Sequence, residues 1–582
     1  MKKIRILVFA LLFIFCFCSC EKGDTPDSNV ISDKSKNTEQ EEVVDLTVQD
    51  NSKEDKKDES DDTEDKSVSI EESEKFLYAK PYLADGKYAK GEILYLSSMV
   101  SDALKAVTGQ TKCIVLCDGV EVIPEDFFAE LENIERFVLP DSITIIGEAA
   151  FKKCSALEQI NFPKKLRVID EWAFLSCESL KSIVLPDGIT EIAYNAFMDC
   201  YSIEEIHISA GVSQLGTYTY NEKPALKRIT VDNQNKHYSV DENGVLFNKE
   251  KTKLIVFPAK SELEEYVIPS GVTEIEQCAF YYCHNLKKLV LSDVSFEDSW
   301  EMDYFAYMDS IEELHLSKNE KSFINGFFFE GGLEIAESLK KVTVDDDHVY
   351  LTVDEHGVLF NKEKTILMLC PPSSGLVSYT IPKGVEDIYE GAFSNCKTLE
   401  SIVIPDSVTT IPDYAFDYCT SLKNVEFPGN LTMIHSYAFR GCTELENLIL
   451  PDSVTGIADC AFAGCTGLKT VRLSKQMDTI ADRAFAGCTE LKEIIFGKEL
   501  ETIGWNAFSG CTSLTTLELP DWLSYIGGYA FSECSSLKEI AIPHSVENVL
   551  SGTFEGCTAL EKVEWNGKMY IVDKNGNLIE NT

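Results

Sequence analysis

The chain is poor in positive charge. It has 53 Lys and Arg residues against 97 Asp and Glu residues, which gives a formal net charge of −44 at pH 7. Binding to a nucleic-acid backbone needs clustered Lys and Arg, and so does attraction to an anionic membrane surface. The charge therefore argues against both kinds of partner. It indicates either a solvated acidic surface that keeps a long protein soluble or a specific cationic partner.

Residues that carry chemistry are scarce or scattered. The eight histidines share no common position in the sequence pattern, and Cys113 and Cys117 have no histidines nearby to complete a zinc site. The acidic run Asp345–Asp347 falls in a predicted surface loop, where solvated charge is its expected role. No nucleophile is marked by an accompanying base. We therefore expect no enzyme activity, no metal and no cofactor.

The apolar stretch at the start of the chain is too short to span a bilayer comfortably. Residues 6–17 are apolar, they follow Lys2, Lys3 and Arg5, and Ser19 and Cys20 come next. This pattern is typical of a secretory signal of the lipoprotein type, in which cleavage exposes Cys20 for lipid attachment. Phe17 stands where such signals usually carry Leu, so a plain signal peptide is the alternative. Both predict export, either to a lipid-anchored place at the cell surface or into the medium.

The composition of the chain changes abruptly from Glu21 to about Lys75, where acidic and polar residues dominate. The run NSKEDKKDESDDTEDK in this segment contains no aromatic side chain. Such a segment cannot bury enough surface to offset the entropy lost on ordering. We predict a disordered acidic tether over residues 21–75.

One 23-residue unit recurs along the rest of the chain. Phenylalanine, cysteine and leucine follow one another at intervals of three residues in each of eight successive units. The three rows are Phe393, Phe416, Phe439, Phe462, Phe485, Phe508, Phe531 and Phe554; Cys396, Cys419, Cys442, Cys465, Cys488, Cys511, Cys534 and Cys557; and Leu399, Leu422, Leu445, Leu468, Leu491, Leu514, Leu537 and Leu560. A unit this short cannot bury its apolar side alone, so the units must stack.

The unit at residues 421–439 shows the expected local structure. Leu422, Val425 and Phe427 alternate with polar residues, which predicts a short strand that ends at Pro428. Ser436 precedes Ala-Phe and is expected to cap a single helical turn, as Asp is at the same place in other units. Stacked units of this kind predict a solenoid of short parallel strands, turns and single helical turns.

Two stretches interrupt the repeat. They span residues 240–258 and 353–371, and each has a turn signal between apolar runs, which predicts an inserted β-hairpin. The segment Asp241–Gly244 resembles a calcium loop only faintly, since its glycine comes fourth rather than sixth, and we interpret it as a turn. The end of the chain, YIVDKNGNLIEN, looks like a truncated third copy that caps the stack. A helix-like apolar pattern over residues 88–107 predicts an N-terminal cap.

These features resemble the BspA-like leucine-rich-repeat family of bacterial surface proteins. The motifs that carry the resemblance are Pro-Asp-Ser-Val-Thr-x-Ile, Ala-Phe-x-x-Cys-Thr-x-Leu and the Asp-x-x-Gly-Val-Leu-Phe hairpins, between residues 120 and 566. The resemblance implies a leucine-rich-repeat solenoid, a place at the cell surface and a role in adhesion or host-protein binding. It implies no particular ligand.

The expected order of segments follows from these patterns. It is residues 1–20, signal; 21–75, tether; 76–119, N-terminal cap; 120–232, repeats; 233–262, hairpin; 263–345, irregular repeats; 346–375, hairpin; 376–566, regular repeats; and 567–582, C-terminal cap.

Twelve of the 20 cysteines occupy the repeat position from Cys154 to Cys557. In an exported protein a regular set suggests disulfides. Stacked cysteines that all project inward have poor geometry for bridging neighbours, so we expect small buried fillers with free thiols.

Function is then expected on the outward strand positions, which vary from unit to unit. Ile449 and Ile495, close to Arg472, form a patch more apolar than solubility requires, although scattered exposure of this kind is also harmless. Trp505 and Trp522 are either anchors for a protein or carbohydrate partner or local packing. The candidate surface comprises Asn447, Ile449, Arg472, Glu493, Ile495, Trp505, Glu518 and Trp522.

The leading hypothesis is a surface lipoprotein whose solenoid binds a protein partner, as an adhesin does. A passive structural or surface-layer spacer and a carbohydrate-binding module are the alternatives. Contact with a membrane is expected only through the lipid on Cys20.

Overall fold

A computed structural model describes residues 93–96, 107, 109–216, 223–276, 278–292, 310–318 and 337–580. The predicted signal and tether lie outside the described residues, and so do Tyr220, which continues the 23-residue spacing after Phe197, and Phe305 and Phe328 of the irregular repeats.

Each regular turn of the chain contributes two strands, because its apolar residues come in two groups separated by a proline or a tight turn. In the unit that begins at Ser421, the first strand is Asn424–Glu426 and the second is Met433–Ile434. Both pair in parallel with the same strands one unit earlier, Ser401 with Asn424 and Thr410 with Met433. The predicted solenoid of short parallel strands is confirmed. We call the two series the long-strand ladder and the short-strand ladder.

The long-strand ladder consists of Ile93–Leu96, Cys113–Leu116, Arg136–Val138, Gln159–Ile160, Ser182–Val184, Glu205–Ile208, Arg228–Val231, Glu265–Val267, Lys288–Leu291, Glu313–Leu316, Lys341–Val344, Ser378–Thr380, Ser401–Val403, Asn424–Glu426, Asn447–Ile449, Thr470–Arg472, Glu493–Ile495, Thr516–Glu518, Glu539–Ile542 and Lys562–Trp565. The short-strand ladder consists of Val122–Ile123, Ile145–Ile146, Val168–Ile169, Glu191–Ile192, Gln214–Leu215, Glu274–Ile275, Asp387–Ile388, Thr410–Ile411, Met433–Ile434, Gly456–Ile457, Thr479–Ile480, Thr502–Ile503 and Tyr525–Ile526.

The core lies between the two ladders and is built from rows of identical residues. The phenylalanines stack face to face along the solenoid, with ring centroids 5.2 Å apart and rings 1° from parallel between Phe439 and Phe462, and 5.4 Å apart between Phe462 and Phe485. The cysteine and leucine of the unit, such as Cys465 and Leu468, are fully buried beside them. Stacking therefore buries the rows that a single unit leaves exposed.

The predicted single helical turn is wrong in its detail. Among the described residues there is no helix, and the segment before each phenylalanine is a run of tight turns. Tyr414 and Tyr418 have left-handed φ angles of 57° and 51°, which a helix cannot contain. The Tyr414 N–H donates to Ser436 O in the next unit at 3.0 Å instead of to its own helix. The predicted capping residue also acts between units, because the Asp413 carboxylate accepts the N–H of Ser436 at 2.6 Å.

The helix expected within residues 88–107 is also wrong for the part that the structure describes. Ile93–Leu96 is a strand that pairs in parallel with Cys113–Leu116, so it extends the long-strand ladder. An open ladder edge satisfies its backbone groups by adding a strand, and this outweighs a local helical pattern.

The two inserted hairpins are confirmed. In the first, Tyr238–Val240 pairs antiparallel with Leu246–Asn248, and Leu246–Asn248 pairs antiparallel with Lys253–Val256. The third of these strands then pairs in parallel with Glu274–Ile275, which returns the chain to the short-strand ladder. The second hairpin, Leu351–Val353, Leu359–Asn361 and Ile366–Leu369, repeats this arrangement. At the end of the chain, Lys568–Val572 pairs antiparallel with Leu578–Glu580, as the truncated third copy predicts.

An aspartate fastens each inserted hairpin to the next long strand. One oxygen of the Asp241 carboxylate accepts the N–H groups of Asn243 and Val245, and the other accepts the Tyr266 hydroxyl at 2.8 Å. Asp354 makes the same set of bonds, with the Tyr379 hydroxyl at 2.6 Å. These contacts confirm that Asp241–Gly244 is a turn.

Replacing a stacked phenylalanine with alanine should destabilise the solenoid strongly. Phe462 is fully buried between two rings, so Phe462→Ala should lower the free energy of unfolding by about 3–5 kcal/mol through lost burial and a residual cavity. Trp522, which is 73% exposed, supplies the control, and Trp522→Ala should change stability by less than about 0.5 kcal/mol. Urea denaturation followed by circular dichroism measures both. Equal losses in the two variants would contradict the stacked-core account.

Candidate functional site

Three hydrogen-bonded long strands bring most of the predicted surface residues together. Ile449, Arg472 and Ile495 face one another in register as the third residues of Asn447–Ile449, Thr470–Arg472 and Glu493–Ile495. The first residues, Asn447, Thr470 and Glu493, form a second row beside them. We call these two rows, with their continuation to Glu518 in the next turn, the strand ribbon. The predicted alignment of these positions along one face is confirmed.

The third-residue row of the ribbon is exposed although it is partly apolar. Ile449 is 62% exposed and Ile495 is 52% exposed, while the second residues between the two rows point into the core. Alternation of side chains along a strand requires this, because successive residues face opposite sides of a sheet. Isoleucine at these two positions contributes nothing to the core.

The charges of the ribbon are only loosely held. The Arg472 guanidinium lies 3.8 Å from the Asp452 carboxylate, which already binds the Lys475 ammonium at 2.5 Å. The hydrogen bond from Lys475 holds the pKa of Asp452 below its usual range. Thr470 Oγ1 donates to Asn447 Oδ1 at 2.6 Å, which orders the neighbouring row. Arg472 therefore keeps most of its donors free for a partner.

The two tryptophans of the candidate surface do not lie in the ribbon. Trp505 follows the short strand Thr502–Ile503, where its N–H donates to Asp482 Oδ1 at 2.7 Å and its indole N–H donates to the Tyr525 hydroxyl at 3.2 Å. Trp522 lies in the turn after Thr516–Glu518. Trp505 is engaged in local packing, whereas Trp522 presents most of its indole to solvent.

A cluster of tyrosines around Arg440 is the feature that sequence reasoning missed. The Arg440 guanidinium lies 4.7 to 5.7 Å from the ring centroids of Tyr414, Tyr418 and Tyr437, and it binds the buried Asp417 carboxylate through two hydrogen bonds of 2.8 and 2.6 Å. That carboxylate raises the pKa of Arg440 further above its usual range. The signal for it in the sequence is the 23-residue spacing of Tyr414 and Tyr437, which places the two tyrosines at the same position of neighbouring units.

The repeat cysteines offer no reactive site. All twelve repeat cysteines from Cys154 to Cys557 are buried and free, which confirms the expected free thiols. The prediction of simple apolar filler is refined, because eleven of the twelve repeat thiols donate to the carbonyl of a residue 26 positions earlier, as Cys465 does to Phe439 at 3.1 Å. Cys283 donates to Tyr281 O instead. Burial raises the pKa of Cys154, Cys465 and Cys511 to about 12.

Metal-binding clusters and membrane-spanning helices are absent from the described ranges. Within them no group of three or more His, Cys, Asp or Glu side chains is placed to hold a metal ion. The same part of the chain contains no helix with the length and apolar character needed to cross a membrane. Cys20, the predicted lipid attachment residue, lies outside it.

Parallel strands stacked on a 23-residue unit, with buried rows of leucine, phenylalanine and cysteine, define the class of leucine-rich-repeat solenoids. The family model described as "BspA type Leucine rich repeat region", with 6 copies, matches residues 121–243, 254–350, 372–469 and 455–576. The chain therefore belongs to the BspA-type leucine-rich-repeat family.

Several solved structures are similar to this chain. A leucine rich cell surface protein from Faecalibacterium prausnitzii is 24% identical over 65% of this chain and 83% of its own, with a TM-score of 0.34. A leucine-rich repeat protein from Eubacterium ventriosum is 20% identical over 75% of this chain and 94% of its own, also with a TM-score of 0.34. A leucine rich repeat protein from T. pallidum is 26% identical over 32% of this chain and 86% of its own, with a TM-score of 0.29. No curated protein matches the chain.

The buried thiols should resist modification while the protein is folded. The raised pKa of Cys154, Cys465 and Cys511 favours their protonated form in the folded chain. The stability that this contributes is full below the unfolded pKa of about 8.5 and is lost as pH rises toward 12. At pH 8 a maleimide should leave the fully buried repeat cysteines of the folded chain unlabelled, and it should modify all of them in urea. In the folded chain Cys557, which is 8% exposed, should be the first repeat cysteine to react. Mass spectrometry counts the adducts. Rapid labelling of Cys465 in the folded chain would contradict the buried-row assignment.

Proposed function

We propose that this protein is an exported surface lipoprotein, anchored through Cys20, whose solenoid binds a protein partner through the strand ribbon in an adhesive role. The observation that carries the proposal is the exposed row Ile449, Arg472 and Ile495, which three adjacent strands hold in register. Exposed aliphatic side chains around an arginine with free donors are typical of a protein-binding patch.

Three further findings support a surface role. The chain belongs to a repeat family, and the similar protein from Faecalibacterium prausnitzii is described as a cell surface protein. The sequence of the N-terminal segment favours export with lipid attachment at Cys20. Repeat solenoids use their extended faces for binding, which places the expected contact on the ladder rather than in a pocket.

A carbohydrate partner is the second candidate function. The observation that favours it is the indole of Trp522, which is 73% exposed and belongs to neither row of the ribbon. An exposed aromatic face suits the apolar face of a sugar ring. A passive spacer requires neither feature and predicts that substitutions at both places are silent.

Polar substitution of the two isoleucines should weaken binding of a protein partner. Immobilised extracellular-matrix and cell-surface proteins are screened with the full chain, and the strongest binder is tested again with Ile449→Asn/Ile495→Asn. If both side chains are central contacts, they contribute about 2 kcal/mol or more together, which weakens Kd by about 30-fold or more. Surface plasmon resonance measures the change.

Val184→Asn is the matched control for that experiment. Val184 is also the third residue of a long strand and is 62% exposed, the same fraction as Ile449. The control should bind like the original chain. Undiminished binding by the double variant would reject the ribbon, and loss with Trp522→Ala alone would favour the carbohydrate or tryptophan-centred alternative.

Removal of the lipid attachment residue should release the protein. Cys20→Ala should abolish incorporation of an alkyne-tagged fatty acid, because the thiol that would carry the lipid is removed. Without the lipid anchor, the chain should shift from the membrane fraction to the soluble fraction. In-gel fluorescence and fractionation of the producing cells measure both effects. The matched control is Cys18→Ala, which leaves the predicted attachment residue in place. Absence of fatty-acid labelling in the original chain would support the plain secretory signal, and unchanged labelling in Cys20→Ala would place the lipid on another residue.

A further inference from the structure

The third residues of successive long strands carry a self-complementary pattern of charge centred on Ile449. From the unit before to the unit after, the row reads Glu426, Ile449 and Arg472, and it is flanked by Val403 on one side and Ile495 on the other. An acidic residue thus lies one strand from Ile449 in one direction, and a basic residue lies one strand away in the other. Aliphatic residues follow at two strands in both directions.

The two charges are available to a partner. No ion pair in the described part of the chain involves the Glu426 side chain, which is exposed, and Arg472 makes only the 3.8 Å contact with Asp452. The short-strand ladder runs unbroken from Thr410–Ile411 to Tyr525–Ile526, so these units stack at a constant repeat. Asn447–Ile449 pairs directly with Thr470–Arg472, whereas Asn424–Glu426 precedes it by one unit without strand pairing, so Glu426 and Arg472 are each one 23-residue unit from Ile449.

We propose that the partner of the strand ribbon is a second copy of this chain, seated face to face and running in the opposite direction about a two-fold axis parallel to the strands at Ile449. This inference rests on the proposed function, since it names the partner of the same surface. The axis places Ile449 against Ile449 of the second copy. It also places Arg472 of each copy against Glu426 of the other, and Ile495 against Val403.

The neighbouring row is compatible with the same axis. The first residues of the strands would bring Asn447 against its own copy, Thr470 against Asn424 and Glu493 against Ser401, so no like charges meet. An axis at Arg472 would instead oppose two arginines. An axis at Ile495 would oppose two copies of Glu493. Like charges placed face to face suppress a wrong arrangement, so the sequence favours Ile449 as the centre.

A charge-swap experiment tests the pairing directly. Two differently tagged forms of the full chain are mixed in detergent, one tag is captured, and the other is quantified. Arg472→Glu should reduce co-capture at least ~10-fold, because the introduced carboxylate would then oppose Glu426 of the other copy. Glu426→Arg should do the same because two arginines would meet. Mixing the Arg472→Glu chain with the Glu426→Arg chain should restore co-capture, since both contacts between the two chains again join opposite charges.

The control is Glu205→Arg, an equal reversal of charge on an exposed first residue of a distant long strand, which should leave co-capture unchanged. Restoration on mixing would establish the antiparallel pairing at Ile449. Absence of co-capture by the original chain, or co-capture indifferent to Arg472→Glu, would overturn it. The proposed function is tested separately from the identity of the partner. If a foreign protein binds and Ile449→Asn/Ile495→Asn abolishes that binding, the strand ribbon is a binding surface. If the chain also fails to self-associate, only the second copy is rejected as the partner.

Discussion

The stacking of one unit on the next is the constraint from which the rest of the structure follows. No unit has a hydrophobic interior of its own, so each phenylalanine, cysteine and leucine is buried only because the neighbouring units cover it. The same stacking satisfies the backbone. Left-handed residues such as Tyr414 cannot donate along a helix, and their N–H groups bond to the next unit instead. Left-handed strain of this kind persists only where the surroundings hold it in place.

The chain accommodates each inserted hairpin by pairing the last strand of the hairpin with the short-strand ladder. The hairpin that begins at Tyr238 leaves the long-strand side and re-enters through Lys253–Val256, which pairs with the short strand Glu274–Ile275. The hydrogen bond from Tyr266 to Asp241 then holds the hairpin against the following strand. An insertion is therefore tolerated when its last strand can take the place of a missing short strand and its turn can be fastened to the repeat.

Stability and recognition are separated between alternate residues of the long strands. In Asn447–Ile449 the middle residue, Leu448, is buried and the two flanking residues are exposed. The rows that make the repeat visible cannot touch a partner, and the rows that can touch one are free to vary. This is why the ribbon can combine Ile449, Arg472 and Ile495 without a cost to the core. It is also why family membership leaves the identity of a partner open.

The amino-acid sequence by itself determined the repeat length, the buried rows, the parallel strands and the two hairpins, because burial and turn formation leave a strict period in the residues. It also predicted which exposed positions align, since alternation along a strand depends only on local geometry. Tertiary structure decided what local patterns could not. The expected helical turn became tight turns because backbone donors such as that of Tyr414 find acceptors in the next unit, and the pattern at Ile93–Leu96 became a strand because a ladder edge was available. The cluster around Arg440, and the separation of Trp505 and Trp522 from the ribbon, depend on how the side chains of successive units meet, and no single unit contains that information.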